Sequence, residues 1–399
     1  MHASGHDAPG DGARRIDSPG GDASALAGDP GALADLARHS AALIAQHQHA
    51  SGAYPASPTF ANYRYSWFRD GAFIADAMSR AGRVTSAEAF HDWCARVLVE
   101  RAERVADACE RARRGEPVAD DDLLPARFTL DGQDTGDDWW DFQTDGYGTW
   151  LWALVAHARR HEVDLGRWRD AVAVATDYLT LFWDRPCFDW WEENHGHRHT
   201  STLGANWAGL DAAADADVLD EERAEVAREA ADDVHAFILR ACVQDGRLTK
   251  WVGNDAVDGS LLACLTPFGL VAPTSPLAER TYTVVTNQLL HRGVRRHMAD
   301  TFYGGGEWML LTALCGLHEV RTGRDGFARE RLAWVASCAD REGHLPEQVN
   351  DETLSPGHVD EWLDRWGPVA KPLLWSHAMY LTLALESGVL HADTGAPAA

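Results

Sequence analysis

From about Gly31 almost to the C-terminus, apolar residues return at the three- and four-residue spacing of a helix and scarcely ever alternate as in a strand. Leu33, Leu36, Leu43, Ile44 and His47 share one face, and Phe90, Trp93, Cys94, Val97, Leu98, Val105 and Cys109 mark one long amphipathic helix. Tyr147, Trp150, Leu151, Leu154 and Val155 mark another, and Trp168, Val172, Ala175, Tyr178, Leu179 and Phe182 a third. Val226, Ala230, Val234, Phe237, Ile238 and Ala241 continue the series. The segments 306–320 and 369–386 are apolar nearly all round, as fully buried helices are. The pattern predicts about ten to twelve helices, with no βαβ spacing and no polar linker long enough to part them. The expectation is a single all-α domain over 31–390, its helices closed into a double-layered barrel around one funnel-shaped pocket. Residues 1–30 are rich in Gly, Asp, Ser and Pro and lack an apolar h-region, so they read as a disordered leader and not as a secretory signal. Residues 391–399 read as a frayed tail.

Hydrophobic residues make up 45% of the chain, enough for a sizeable core. The net charge of −25 repels phosphate backbones and anionic membranes, although the same excess also serves solubility. No nucleic-acid partner is expected, and no run approaches a membrane span. The partner indicated is a neutral or cationic small molecule. Cys94, Cys109, Cys187, Cys242, Cys264, Cys315 and Cys338 are odd in number and form no CxxC pair. Most lie among apolar helix residues, which points to buried thiols in a reducing, cytoplasmic setting, with no disulfide and no zinc site. Nothing calls for a cofactor, and oligomeric state has no signature.

Between the helices lie stretches of another kind: "YRYSWFRDGAF" (63–73), "DDWWDFQTDG" (137–146), "DWWEENHGHRHT" (189–200), "RRHMADTFYGGGEW" (295–308) and "HLPEQVN" (344–350). Connections seldom need large apolar area, yet many of the 17 tryptophans fall here. Trp and Tyr offer flat walls to the C–H faces of sugar rings, while Asp, Glu, Arg and Gln take the hydroxyls. A carbohydrate is the economical reading. Cleaving a glycosidic bond needs two carboxyl groups: one protonates the leaving oxygen, the other activates water or attacks carbon.

Glu192 is the candidate acid, because the preceding Trp190 and Trp191 can desolvate its carboxylate and raise its pKa. The plain alternative is a solvated glutamate at a helix start. Glu193 reads as a ligand of a substrate hydroxyl or as a surface residue. Glu347 is the best second carboxylate, in a polar loop after a helix ending near Asp340, although an LPEQ tetrapeptide alone is more often an ordinary loop. Arg69 and Asp70 follow Trp67 and lie beside Tyr63 and Tyr65. They read equally as a clamp on sugar hydroxyls and as charges complementing a helix dipole.

Together these stretches resemble glycoside hydrolase family 15, the glucoamylase-like inverting exo-α-glucosidases. The resemblance is carried by Trp67, Arg69 and Asp70; by Trp139, Gln143, Asp145 and Gly146; and by Trp191-Glu192-Glu193. It continues through Asp258, Ser260, Leu261, Leu262, Pro267 and Gly269, and through Arg296, Asp300, Tyr303, Gly304 or Gly305, and Trp308. Glu347-Gln348 and Trp375-Ser376 close it. Order and spacing hold from about residue 60 to 380.

The resemblance implies an (α/α)6 barrel and direct displacement by water, giving β-glucose from an α-linkage. It implies Glu192 as general acid and Glu347 as general base, with the carboxyls roughly 6.5–9.5 Å apart. It implies that Arg69, Asp70 and Arg296 grip the terminal glucose and that Tyr63 faces the oxocarbenium-like centre. Trp67, Trp139, Glu193, Trp308 and Trp375 would complete the substrate-binding walls.

The sequence departs from the family in the short stretch before the first helix, too short for the β-sandwich many prokaryotic members carry, and in lacking starch-binding modules. His195, His197, His199 and Trp207 follow the acid. They read as loop and packing residues at least as readily as substrate contacts, and their alternate spacing is a poor metal signature. A short oligosaccharide of the isomaltose α-1,6 type is the expected substrate, with maltose-type α-1,4 activity close behind and trehalase activity third. A sugar isomerase working through histidines such as His297 and His377 is the rival from another class. A catalytically dead sugar-binding protein is another, disfavoured by intact Glu192 and Glu347.

Overall fold

The computed structural model describes residues 29–137, 139 and 142–392. The expected leader and tail lie almost wholly outside them. The described residues form fourteen α-helices joined by loops that contain only two-residue strands. Along the chain the first seven are α1 (Pro30–His47), α2 (Phe68–Arg80), α3 (Val84–Val99), α4 (Ala102–Arg113), α5 (Asp145–His161), α6 (Arg169–Phe182) and α7 (Thr200–Ala214). The rest are α8 (Glu221–Ala241), α9 (Leu261–Leu265), α10 (Pro276–Leu289), α11 (Met309–Arg321), α12 (Asp325–Ser337), α13 (Val359–Trp366) and α14 (Leu374–Glu386).

Helices α2, α5, α7, α9, α11 and α14 pack each on the next, and α14 returns to α2, which closes an inner ring. Helices α1, α3, α6, α8, α10 and α12 cover it from outside. This is an (α/α)6 barrel. Its two layers differ in pattern for a plain reason. An inner helix meets protein on every side, so Phe68–Ser79 of α2, Met309–Glu319 of α11 and Leu374–Ala384 of α14 are buried without interruption. An outer helix buries one stripe, as α8 does with Ala227, Ala230, Ala231, Val234 and Ile238. Each large apolar side chain so buried contributes about 1.5–3 kcal/mol.

The crossing of α5 and α7 depends on glycine. A Cβ on Gly148 would stand 2.4 Å from the carbonyl oxygen of Ala205, and one on Gly209 would stand 2.4 Å from that of Gly148. Backbones that close leave no room for a side chain, so alanine at either position would force the inner ring apart.

Several sequence expectations need correction. The long helix read through 90–109 is two, α3 and α4, broken at Glu100–Arg101. The break lets Arg101 lie 4.7 Å over the Phe128 ring and donate to the Gly132 carbonyl and to Asp134. Val226 was placed on the buried face of α8 but is exposed, because the stripe runs through its neighbour Ala227. The apolar run from 369 becomes helical only at Leu374, after Pro372, and the helix before Glu347 ends at Ser337. The helix count is higher because α4 was read as one helix with α3, and because the five-residue α9 and the eight-residue α13 are too short to stand out as periodic stretches.

Short strands tie the loops together at one end of the barrel. β1 (Ser66–Trp67) pairs with β2 (Arg127–Phe128), placing Trp67 opposite Arg127. After the β3–β4 hairpin (Val243–Gln244, Arg247–Leu248), β5 (Val294–Arg295), β6 (Glu307–Trp308) and β7 (Gln348–Val349) form a three-stranded sheet, with Trp308 opposite Gln348.

Candidate active site

At that end the loops enclose a cup of about 750 Å³ including its mouth, within the range of pockets that hold small ligands. Tyr63, Trp67, Arg69, Asp70, Trp139, Glu192, Glu193, Arg296, Trp308, Glu347 and Trp375 all line it. Trp190, Trp191, Phe302, Trp362 and Trp366 complete the walls. Every residue singled out from the sequence as a site residue therefore opens onto this one space.

The turn that carries Glu192 is built around a buried aspartate. Oδ1 of Asp189 accepts from the backbone N–H groups of Trp191 (3.0 Å) and Glu193 (2.9 Å), and its Oδ2 from the Asn194 side chain (3.0 Å). Lys250 stands 3.4 Å from Asp189 and 2.9 Å from Asp258, which in turn accepts the Trp191 indole N–H. The result is a tight loop in which Glu192 itself takes a left-handed conformation, φ 61°. Such a conformation costs a non-glycine residue roughly 1–2 kcal/mol and is retained where surroundings over-determine it. Here it aims the carboxyl into the cup.

Both oxygens of that carboxyl accept from indoles, Oε1 from Trp67 at 2.5 Å and Oε2 from Trp139 at 2.7 Å. Arg69 lies 3.9 Å away. Burial dominates, however, and raises Glu192 to about 7 against the pull of the arginine and the two N–H groups. The adjacent Glu193 has the opposite fate. Burial would raise it too, but Arg296 at 2.9 Å, supported by His297 at 3.5 Å, holds it down at about 2. Burial thus pushes one of two neighbouring glutamates up while an arginine partner holds the other down.

Glu347 belongs to a segment pinned residue by residue. The Leu345 N–H donates to Nε2 of His377 (2.9 Å), the Pro346 carbonyl accepts from the Ser376 hydroxyl (2.8 Å), and the Glu347 N–H donates to the Ala370 carbonyl (2.9 Å). Oε1 of Gln348 accepts from the Gly306 N–H (2.9 Å). Tyr63 donates its O–H to Oε1 of Glu347 at 3.0 Å, and Oε2 has no hydrogen-bond partner among the described residues. Burial raises this carboxyl to about 8, against the tyrosine bond and the charge of Arg296. The two carboxyls are linked through one aromatic pair, since the Tyr63 and Trp67 rings meet edge to face at 5.9 Å.

Arg69 and Asp70 start α2 and are buried. Arg69 bonds Gln143 (2.5 Å) and Asp145 (3.1 Å), which fixes it as a donor aimed inward. Burial lifts Asp70 to about 6, against the charge of Arg69 at 3.4 Å. Arg296 is locked by Asp300. Oδ2 of Asp70 and the indole N–H groups of Trp190, Trp308 and Trp375 are buried without a hydrogen-bond partner among the described residues. Buried polar atoms are ordinarily satisfied.

The sequence missed Phe302, Trp362 and Trp366 as wall residues. Trp366 stacks on Trp139 at 5.9 Å, and Trp362 packs edge-on against Phe302 at 4.8 Å. The tryptophans of "DEWLDRW", four apart on one helix face, were the available signal. The histidines fall outside the cup. His195 packs on Phe188, His197 stacks on Trp251, and His199 is bonded to the carbonyls of Cys187 and Asn194. Trp207 packs on His235. His377 lies behind the Glu347 segment, also bonded to Ser40, and His297 faces Glu193, so the histidine pair an isomerase would need is not on the cup floor.

Residues 32–314 match the model of glycosyl hydrolases family 15. An isomaltose glucohydrolase of Kribbella flavida is 52% identical over 361 residues, 90% of this chain and 94% of that one. A wild-type glycosidase of known structure superposes with a TM-score of 0.89 at 50% identity, over 93% of this chain and 100% of that one. A glycosidase variant with a glutamate changed to alanine, in complex with glucose, aligns to the same extent. A bacterial glucoamylase complexed with acarbose shares the fold, with a TM-score of 0.71 at 21% identity over 90% of this chain and 56% of that one.

Proposed function

The chain belongs to glycosyl hydrolase family 15, and from that premise we propose that it releases glucose from the non-reducing end of short α-glucosides, isomaltose foremost. Glu192 protonates the departing oxygen, and Glu347 takes a proton from the attacking water. The observation that carries this reading is that these two buried carboxyls, 155 positions apart in the sequence, open onto one aromatic cup with complementary surroundings. Glu347 keeps one oxygen without a protein partner, the place for a water, and Tyr63 steadies the other. Glu192 rests on two N–H donors that stabilise the carboxylate left when its proton departs.

The protein alone holds Glu347 at about 8 and Glu192 at about 7. Water on Oε2 of Glu347 lowers the first, and a sugar displacing water from Glu192 raises the second, which brings the pair into the states the reaction needs. Water attack from the face opposite the leaving group inverts the anomeric centre. Arg69, Asp70, Glu193 and Arg296 bind the hydroxyls that do not react, and Trp67, Trp139, Trp308 and Trp375 wall the sugar rings. The 52% identity to an isomaltose glucohydrolase supports the α-1,6 preference.

No helix among the described residues is long and apolar enough to cross a membrane. The seven cysteines are free and buried, which supports a reducing, cytoplasmic setting.

The test is to incubate the protein with isomaltose, maltose and trehalose and to follow the anomeric protons by NMR. Isomaltose should be cleaved fastest, with β-glucose formed first. First-formed α-glucose would overturn inversion, faster maltose or trehalose cleavage would overturn the linkage, and isomerisation without glucose release would overturn the hydrolase reading.

A further inference from the structure

We propose that Arg127 is a positioning residue for the proton donor, its guanidinium packed between the ring faces of Trp139 and Tyr65 and so fixing the indoles that bind Glu192. The inference rests on the reading of Glu192 as the acid. Arg127 is fully buried on β2, directly opposite Trp67. Its guanidinium carbon lies 4.1 Å from the Tyr65 ring centre, 4.1 Å from that of Trp139 and 5.5 Å from that of Trp67. Nη2 donates to both carboxylate oxygens of Asp137, at 2.8 and 2.7 Å. Nε and Nη1 are buried with no hydrogen-bond acceptor among the described residues.

A buried arginine with two nitrogens lacking acceptors is costly to keep. An arginine that only braced a loop would turn those nitrogens to carbonyls. Here ring faces meet the cation instead, and two of the three rings spend their N–H groups on Glu192, Trp67 on Oε1 and Trp139 on Oε2. The cation over the indole faces acts in two ways. It holds both rings in the orientation that aims their N–H groups at the carboxyl, and it draws electron density from the rings, so those groups donate more strongly. Both effects favour the ionised form of Glu192.

The other charged or titratable groups facing Glu192 are Arg69 at 3.9 Å, Asp70 and Tyr63, with Asp189 and Glu193 in its own turn. None of them touches Arg127 by hydrogen bond or ion pair among the described residues, so they form a constant background in the comparison below.

The experiment measures kcat at saturating substrate against pH, which reports the substrate complex, on whichever glucoside the enzyme cleaves fastest, for the wild type, Arg127→Met, Arg127→Lys and Asp137→Asn. Thermal melting establishes that each variant is folded. The alkaline limb reports loss of the proton from the acid. Arg127→Met should lower kcat by about tenfold to a hundredfold, as loss of a supporting residue does, and should move the alkaline limb to higher pH. Arg127→Lys should return the limb towards its wild-type position. Asp137→Asn leaves the guanidinium charge uncompensated and should move the limb to lower pH. A limb that stays in place in folded Arg127→Met overturns the proposal. If that variant does not fold, an unmoved limb in Asp137→Asn, whose side chain is half exposed, overturns it instead. Glu192→Gln, run beside them, separates the two levels: full activity there would remove the acid reading itself, whereas an inactive Glu192→Gln with unmoved limbs elsewhere would remove only the role of Arg127.

Discussion

The surroundings of Glu192 and of Glu347 are opposites built from similar parts. Around Glu192 both oxygens are engaged by rigid indole N–H donors, and the backbone beneath is held in a left-handed turn by Asp189. Around Glu347 a single tyrosine hydroxyl engages one oxygen, the other has no hydrogen-bond partner among the described residues, and the backbone is an extended segment sewn to a neighbouring strand and helix. Burial raises both carboxyls. What differs is the geometry left for a third party. A group that must take a proton from water needs a lone pair that no protein donor occupies, which Glu347 has. A group that must lose a proton needs its resulting charge stabilised on both oxygens, which the indoles around Glu192 provide. Similar titration behaviour therefore accompanies different chemistry, and the hydrogen-bond partners distinguish the two.

The strongest way to break this contrast is to neutralise each carboxyl. Glu192→Gln and Glu347→Gln should each lower kcat on isomaltose by about a thousandfold, within the range for loss of a general acid or base. With α-glucosyl fluoride, whose leaving group needs no proton, Glu192→Gln should recover most of its rate and Glu347→Gln should not. Equal recovery in initial-rate assays would erase the distinction.

A smaller effect is expected from Tyr63→Phe. Losing a hydrogen bond to a charged group costs about 1.5–3 kcal/mol, or roughly tenfold to a hundredfold in kcat. The tyrosine bond lowers the pKa of Glu347, so its removal raises that pKa. Because the base must be ionised, the acid limb of kcat, which reports the substrate complex, should move to higher pH while the alkaline limb stays. The wild-type profile should peak near neutrality, since the two carboxyls lie at about 7 and about 8. A maximum near pH 4 would show that neither is kept from water.

Trp139→Phe keeps the wall but removes the donor to Oε2 of Glu192. Turnover should fall severalfold, and here the alkaline limb should move upward, the mirror image of the tyrosine variant.

The least effect on rate, but a clear one on stability, is expected from His377→Phe. Its ring accepts from the Leu345 N–H and bonds Ser40, so substitution leaves both buried groups unpaired, at a cost of about 1–3 kcal/mol in urea unfolding. Burial lowers His377 from 6.5 to about 3. The unfolded chain binds a proton that the folded one refuses, so wild-type stability should decline as pH falls below 6.5 towards 3, and the variant should lack that share of the decline.

Much of this was legible in the chain itself. The all-round apolar runs of the inner helices and the single stripes of the outer ones follow from which faces each helix must bury, and that pattern is local. Acids beside tryptophans in "DWWEEN" and the pair Arg69–Asp70 after Trp67 are also local, so the chemistry of the cup could be read before its shape. The helix break at Glu100–Arg101 could not be, because it depends on Asp134 and the Gly132 carbonyl, which reach Arg101 only through folding. The phase of α8 around Val226 and Ala227 was likewise decided by packing against α7 and not by composition.

The sequence by itself determined a helical architecture, a lining suited to carbohydrate and two candidate carboxyls, since side-chain type and helical period travel with the chain. Tertiary structure alone decided that Glu192 and Glu347 share one space, that Glu193 is held ionised beside a raised Glu192, and that Arg127 stands behind the indoles. Burial and partner distance are properties of the surroundings, and those surroundings come from segments far apart along the chain.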